Sequence, residues 1–306
     1  MLHLRWMRFS IVVAIVMCSV PPLFSQTPAA FRVGTNIVVL QVTVTATAGR
    51  RVSGLTAEDF TVFEDGKAQQ VSMFSQAREP LALSLMIDAS SSMNESLGMA
   101  QDAAIGFARK LRPTDEAQVM AFNERVDVVQ PFLPYSLGLE SSVRQMTARG
   151  TTALYQALYV TLRGFEAARP KSGVIRRHAI ILLSDGEDTS SLVGFDQAFD
   201  LARRSDVSIY TIGLGMRSAN NPRQLTPGAF ILRQFAQTTG GRAIFVDRAE
   251  ELAPIYVQFA DELAASYTLV YTPPATHRDG QWHNVAVRVN REHCTARTRT
   301  GYLASR

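Results

Sequence analysis

The sequence predicts an α/β fold: a doubly wound, mostly parallel, Rossmann-like sheet inserted between N- and C-terminal β segments that form a small β-sandwich. Three observations predict it. In the middle of the chain, short unbroken apolar runs such as Leu83–Ile87, Ala179–Leu183 and Val207–Ile212 alternate with helical patterns. Runs of that kind are strands buried on both faces, and their alternation with helices signals a parallel sheet covered on both sides. Both flanks instead read at period two: Val38, Leu40, Val42 and Val44 on one side, Tyr267, Leu269 and Tyr271 on the other. Neither flank has enough strands to be stable alone, so the two are expected to pair.

The elements follow in order. Arg5 and Arg8 precede the apolar run Phe9–Val20, and Pro21 to Ser25 close it. A positive start, a short apolar core and a small residue near the cut describe a signal peptide over residues 1–25. The run is short for a permanent bilayer span, and the alternative reading is an uncleaved anchor. Met17 before Cys18 makes a poor lipoprotein box. The N-terminal β-module, residues 26–79, holds the strand from Val38, a capped turn at Leu55–Phe60, a strand Phe60–Glu64, a hairpin turn at Asp65-Gly66 and a return strand Val71–Phe74. The central domain, 80–264, begins with the strand Leu83–Ile87 and the helix Leu97–Leu111. Two strands (117–122 and 126–131, the second at an edge), a helix (152–169), the strand Ala179–Leu183, a helix (195–205) and the strand Val207–Ile212 come next. A helix (232–239) ending at Gly240-Gly241, a strand (243–246) and a last helix (249–263) complete it. Residues 265–306 form the C-terminal β-module.

Composition excludes several classes. Loss of Arg5 and Arg8 with the signal lowers the formal charge from +4 to +2, no basis for nucleic-acid binding. Arg288, Arg291, Arg297 and Arg299 read as a solvated strand face. Cys18 leaves with the signal and Cys294 stands alone, so the mature chain cannot hold an intramolecular disulfide. No HExxH, GxSxG, phosphate-binding glycine loop or cysteine–histidine dyad is present, and His277, His283 and His293 match no familiar zinc spacing.

The chemistry concentrates where the apolar strand Leu83–Ile87 stops at Asp88, followed by Ser90 and Ser92. An aspartate there cannot stay buried and unpaired. One carboxylate and two hydroxyls around a tight loop are hard oxygen donors, the kind Mg²⁺ prefers. A second buried strand ends in Ser184-Asp185-Gly186, and Gly150-Thr151-Thr152 opens a helix. Ligands in open α/β sheets sit beyond the carboxyl ends of the strands, where Asp88 and Asp185 both fall. Glu187 and Asp188 read as solvated and capping acids.

These three pieces, in this order, resemble the von Willebrand factor type A domain over roughly Pro80 to Leu263. The resemblance implies a metal-ion-dependent adhesion site built from Asp88, Ser90, Ser92, Thr152 (Thr151 as fallback) and Asp185. Ser90 and Ser92 would ligate directly, Asp88 directly or through water, and Asp185 through water. It implies Mg²⁺, with Mn²⁺ or Ca²⁺ as alternatives, and a protein partner that supplies an Asp or Glu carboxylate. It also implies a last helix able to shift when the site fills. The arrangement further resembles a secreted acidobacterial family related to von Willebrand factor A, through Leu55 to Phe60 and Gly301-Tyr302. The expected function is an exported, periplasmic or extracellular adhesion-type module with no catalytic residue. The rival readings are a scaffold with a vestigial site and a metal-dependent phosphohydrolase. The latter needs a second acid two residues after Asp88, where Ser90 stands.

Overall fold

The computed structural model describes residues 37–46, 50–76, 79–134, 138–167, 176–218 and 221–305. The expected signal peptide lies outside these residues. The central sheet has six strands: β5 (Leu81–Asp88), β6 (Glu116–Phe122), β7 (Val126–Pro134), β8 (Arg177–Ser184), β9 (Val207–Leu214) and β12 (Ala243–Val246). Their order is β12-β9-β8-β5-β6-β7, all parallel except β7, which runs antiparallel at the edge. The period-two alternation of a strand sends neighbours to opposite faces. In β5, Leu83, Leu85 and Ile87 therefore pack under α1 (Leu97–Ala108) and α6 (Leu252–Ala264), while Ala82 and Met86 pack on the other face. That second face is covered by α3 (Leu154–Ala167), α4 (Phe195–Arg204) and α5 (Pro227–Thr238). The short α2 (Leu139–Arg144) lies beside α1.

The flanking segments build two four-stranded sheets, and each mixes both ends of the chain. The N-terminal strands are β1 (Val38–Ala46), β2 (Phe60–Glu64), β3 (Lys67–Gln69) and β4 (Val71–Ser75). The C-terminal ones are β13 (Tyr267–Tyr271), β14 (Trp282–Val289), β15 (Cys294–Arg297) and β16 (Gly301–Leu303). One sheet runs β15-β1-β13-β4 and the other β16-β14-β2-β3. Leu40, Val42, Phe60, Val62, Tyr267, Leu269, Tyr271 and Val285 fill the space between them. The β-sandwich expected from the sequence is present, and the α/β unit is inserted into it.

Several details differ from the sequence reading. The return strand of the Asp65-Gly66 hairpin is β3, paired with β2. Val71–Ser75 crosses to the other sheet and pairs with β13; Gln70 is the single residue between them. Helix α5 starts five residues early, because Thr226 accepts the Ala229 N–H (3.3 Å) and Pro227 occupies the first turn. Helix α2 and the small hairpin β10 (Arg217–Ser218) with β11 (Asn221–Leu225) are too short to show a period. Arg297 and Arg299 do not belong to a solvated face. Arg297 pairs with buried Glu262 of α6, and Arg299 pairs with Asp206 at 2.6 Å. Arg291 pairs with Asp59 at 2.9 Å, and Arg288 lies over the Phe63 ring.

Candidate metal centre

The site forms where β5, β6 and β8 end side by side. Parallel register sets Ile87 beside Leu183 and Asp88 beside Phe122. The loops beyond them are stitched by backbone bonds. Ala89 N–H donates to Phe122 O (2.8 Å), Arg149 N–H to Ala89 O (2.8 Å), Ser91 N–H to Gly150 O (3.0 Å) and Ala153 N–H to Asn123 O (2.8 Å). Gly150 holds φ +70°, a conformation that residues with a Cβ rarely adopt.

Asp88 has no exposed surface. One carboxylate oxygen accepts the Ser90 N–H at 2.9 Å and the other accepts the Ser184 hydroxyl at 2.6 Å. Burial nonetheless pushes its pKa up to about 6, and the nearby charge of Asp185 adds to the rise. The hydroxyls of Ser90 and Ser92 meet at 3.0 Å, and Ser92 donates to Asp185 Oδ1 at 2.9 Å. Burial raises the Asp185 pKa as well. Thr152 is buried, and a Cβ on Gly186 would come 3.7 Å from its hydroxyl oxygen. Thr151 is exposed. The structure thus brings Asp88, Ser90, Ser92 and Asp185 into one connected set, with the Thr152 hydroxyl beside the Asp185-Gly186 turn.

The loop after Asp185 holds two helix N-termini that are not its own. Asp188 accepts the Tyr155 N–H (3.1 Å) and Ser191 the Gln156 N–H (3.0 Å), both in the first turn of α3. Glu187 accepts the Gly228 N–H (3.3 Å) at the start of α5. The Thr152 carbonyl accepts from the N–H groups of Thr189 (2.8 Å) and Ser190 (3.1 Å). Asp188 and Glu187 are caps, as their position suggested. Sequence reasoning missed Ser184 and Thr189. The signal for Ser184 was a hydroxyl ending an apolar run next to Asp185, and only strand register shows that it faces Asp88.

The donor set fits a hard divalent cation. The buried carboxylate of Asp88 and the half-buried one of Asp185 repel one another, and among the described residues neither forms a salt bridge with a basic side chain. Around them stand neutral hydroxyls, all oxygen donors.

A family model described as the von Willebrand factor type A domain matches residues 83–256, more than half of the chain. The chain belongs to this family. Such VWA domains commonly mediate protein–protein contacts and commonly use a divalent metal at a metal-ion-dependent adhesion site. Among solved structures, a von Willebrand factor type A protein from Catenulispora acidiphila is similar over 91% of this chain and 76% of its own, with TM-score 0.53 and 14% identity. Proximal thread matrix protein 1 from the mussel byssus, described with a zinc-occupied MIDAS motif, is similar over 62% of this chain and 49% of its own, with TM-score 0.51 and 18% identity. An uncharacterized protein of Synechocystis sp. is 28% identical over 144 residues, 45% of this chain and 33% of that protein. The chain therefore spans about a third of the length of this curated relative. The likeness to the solved structures is one of fold, and for the first it extends across most of the chain, beyond the family match.

Proposed function

We propose that this protein is an exported, metal-dependent protein-binding module of the adhesion type, with Asp88, Ser90, Ser92, Thr152 and Asp185 holding Mg²⁺, or Mn²⁺ or Ca²⁺ in its place. The observation that carries the reading is the connected set Ser90–Ser92–Asp185, seated on buried Asp88 at the carboxyl edge of the parallel sheet. The zinc-occupied motif of the byssus protein is in keeping with it. A cation held mainly by neutral hydroxyls stays electrophilic and attracts an Asp or Glu carboxylate from a partner. The chain's own residues prepare the site. Ser184 and the Ser90 amide orient Asp88, Ser92 positions Asp185, and the Thr189 and Ser190 amides fix the Thr152 backbone. Export rests on the signal-peptide pattern of residues 1–25, and among the described residues no helix is long and apolar enough to cross a membrane. The proposed domain limits are 26–79, 80–264 and 265–306.

Thermal unfolding with and without millimolar Mg²⁺ or Mn²⁺ tests the metal site. A ligand bound only by the native state raises the midpoint, because it adds about 2.7 kcal/mol of stability at a hundredfold excess over Kd. The expected result is a rise that Asp88→Ala abolishes. No rise in the wild type would favour the scaffold reading. Turnover of a phosphoester panel, lost in Asp88→Ala, would favour the phosphohydrolase. The partner is then sought by capture that chelator reverses.

A further inference from the structure

A second cluster lies in the β-sandwich and shares no residue with the site at the sheet edge. Glu64 ends β2, Asp65 opens the hairpin turn, His277 lies in the 3₁₀ turn Ala275–His277, and His283 lies in β14. Each offers one ligand atom, and these atoms all lie within 4.8 Å of one another. Glu64 Oε1 contacts His277 Nδ1 at 2.7 Å, and Asp65 Oδ2 contacts His283 Nδ1 at 2.7 Å. The two imidazoles stack face to face, 4.1 Å apart and 10° from parallel.

Two features separate this cluster from an ordinary surface ion pair. First, the Glu64 side chain is wholly buried, and its Oε2 has no hydrogen-bond partner. The Tyr271 hydroxyl lies against this carboxylate, and burial first, then the Glu64 charge, raise its pKa. Second, three of the four donors already have the outer partner that orients a metal ligand. His283 Nε2 faces Asp279 Oδ1 at 3.2 Å, the carboxylate–histidine arrangement found behind metal-bound imidazoles. Asp65 Oδ1 accepts the Asn284 N–H at 2.9 Å, and Glu64 Oε1 accepts the Tyr302 hydroxyl at 2.6 Å.

We infer that Glu64, Asp65, His277 and His283 form a structural zinc site that clamps the N-terminal β2–β3 hairpin to the C-terminal segment 277–283. Two imidazole nitrogens and two carboxylate oxygens make an N₂O₂ set, which suits tetrahedral Zn²⁺. The imidazoles disfavour Mg²⁺ and Ca²⁺, which take oxygen ligands. The tetrahedron has an edge of about 3.3 Å at ordinary zinc–ligand lengths. Glu64 Oε1 and His283 Nδ1 stand 3.9 Å apart, between neighbours at 2.7 Å; because the two rings lie nearly parallel, one imidazole must turn about its side-chain torsions to bring both Nδ1 atoms onto one ion. Metal at Nδ1 leaves the proton of a neutral imidazole on Nε2, where His283 already faces Asp279, and only a doubly protonated ring releases a proton on uptake. The clamp joins residues more than 200 positions apart, across the whole inserted domain. A chain whose described part holds one free cysteine has no disulfide to do this.

The test uses the purified protein carrying Asp88→Ala, so that the sheet-edge site is silent, stripped with chelator and given Zn²⁺ alone. Native mass spectrometry and competition with a chromogenic chelator read the stoichiometry and affinity. One zinc per chain is expected, at least tenfold weaker in His277→Gln and in His283→Gln and unchanged in His293→Gln. Co²⁺ in place of Zn²⁺ should give the intense visible bands of a tetrahedral site. No zinc retained by Asp88→Ala, or an affinity left unchanged by His277→Gln and by His283→Gln, overturns the inference. If those variants fail to fold, carbethoxylation of the Asp88→Ala protein decides. Zinc should protect His277 and His283 but not His293, and modification indifferent to zinc overturns the site. Because Asp88→Ala is present throughout, failure here leaves the adhesion reading untouched, and the converse also holds.

Discussion

At the scale of single residues, Asp88 shows how a site is held ready at a cost. Its folded pKa of about 6 lies above the ordinary 3.8. The folded chain therefore binds more protons than the unfolded one between those values. Stability falls as pH rises through that window, and the penalty is complete above about pH 6. Asp88→Asn removes the charge and keeps a group able to accept from the Ser90 amide. In the absence of metal it is expected to raise stability at pH 7 by roughly 1–3 kcal/mol, from a shift of about two pKa units. It should also abolish the response to Mg²⁺; urea unfolding with and without Mg²⁺ checks both. Asp115 behaves oppositely. Burial pushes its carboxyl up, but hydrogen bonds from the Arg112 side chain and from the Arg112 and Leu81 amides outweigh it, and the pKa is lowered. A lowered acid contributes stability above its unfolded value of 3.8 and loses it as pH falls through the folded one. Asp115→Asn should therefore cost about 1–2 kcal/mol at pH 7 and much less at pH 3. Equal losses at both pH values would assign the effect to packing.

At the scale of elements, α6 is tied at its C-terminal end. Glu262 is buried and pairs with Arg242, before β12, at 2.6 Å and with Arg297 of β15. Only Ala265 and Ser266 separate α6 from β13, a strand flanked on both sides in its sheet. Removing one partner of a buried ionic group leaves the others uncompensated. Glu262→Gln is expected to lower stability by about 2 kcal/mol, read as a lower urea midpoint, while Glu250→Gln, on the exposed start of the same segment, should have little effect. Sequence reading located α6 well, because its apolar stripe has the helical period. It did not foresee β4 in the second sheet, because the one-residue step at Gln70 carries no period.

At the scale of the whole molecule, the inserted domain and the sandwich meet through specific contacts. Arg203 of α4 lies over the Trp282 ring at 4.1 Å, Arg299 reaches Asp206 at 2.6 Å, and Thr300 N–H donates to Thr238 O at 3.1 Å. Gly240 makes this possible, and Gly241 beside it packs against β9 within the inserted domain. A Cβ on Gly241 would sit 1.9 Å from the Ile209 carbonyl, and one on Gly240 would sit 2.6 Å from the Arg299 amide. Both obstacles are backbone and cannot rotate away. Gly241→Ala should cost more than about 3 kcal/mol and reduce soluble yield. Gly54→Ala, at φ +75° with nothing within 4 Å, should cost about 1 kcal/mol. Comparable losses in the two variants would show that close approach is not the reason for Gly241.

Much of this architecture is written locally. Unbroken apolar runs mark strands buried on both faces, alternation marks the flanking strands, and Asp88 and Asp185 stand at strand ends that the apolar runs locate, while the grouping of Asp88, Ser90, Ser92, Thr152 and Asp185 is what the family resemblance implies. The runs and the alternation depend on residues near one another in sequence, so composition and spacing reveal them. Pairing across long separations is different. Ser184 meets Asp88 only because β8 and β5 run parallel in one register, Arg297 and Arg299 are drawn to acids in the inserted domain, and Glu64 faces His277 across 213 positions. No local period encodes such contacts. They arise when packing the apolar faces sets strand order, and the polar groups then carried inward must find partners among whatever that order places beside them.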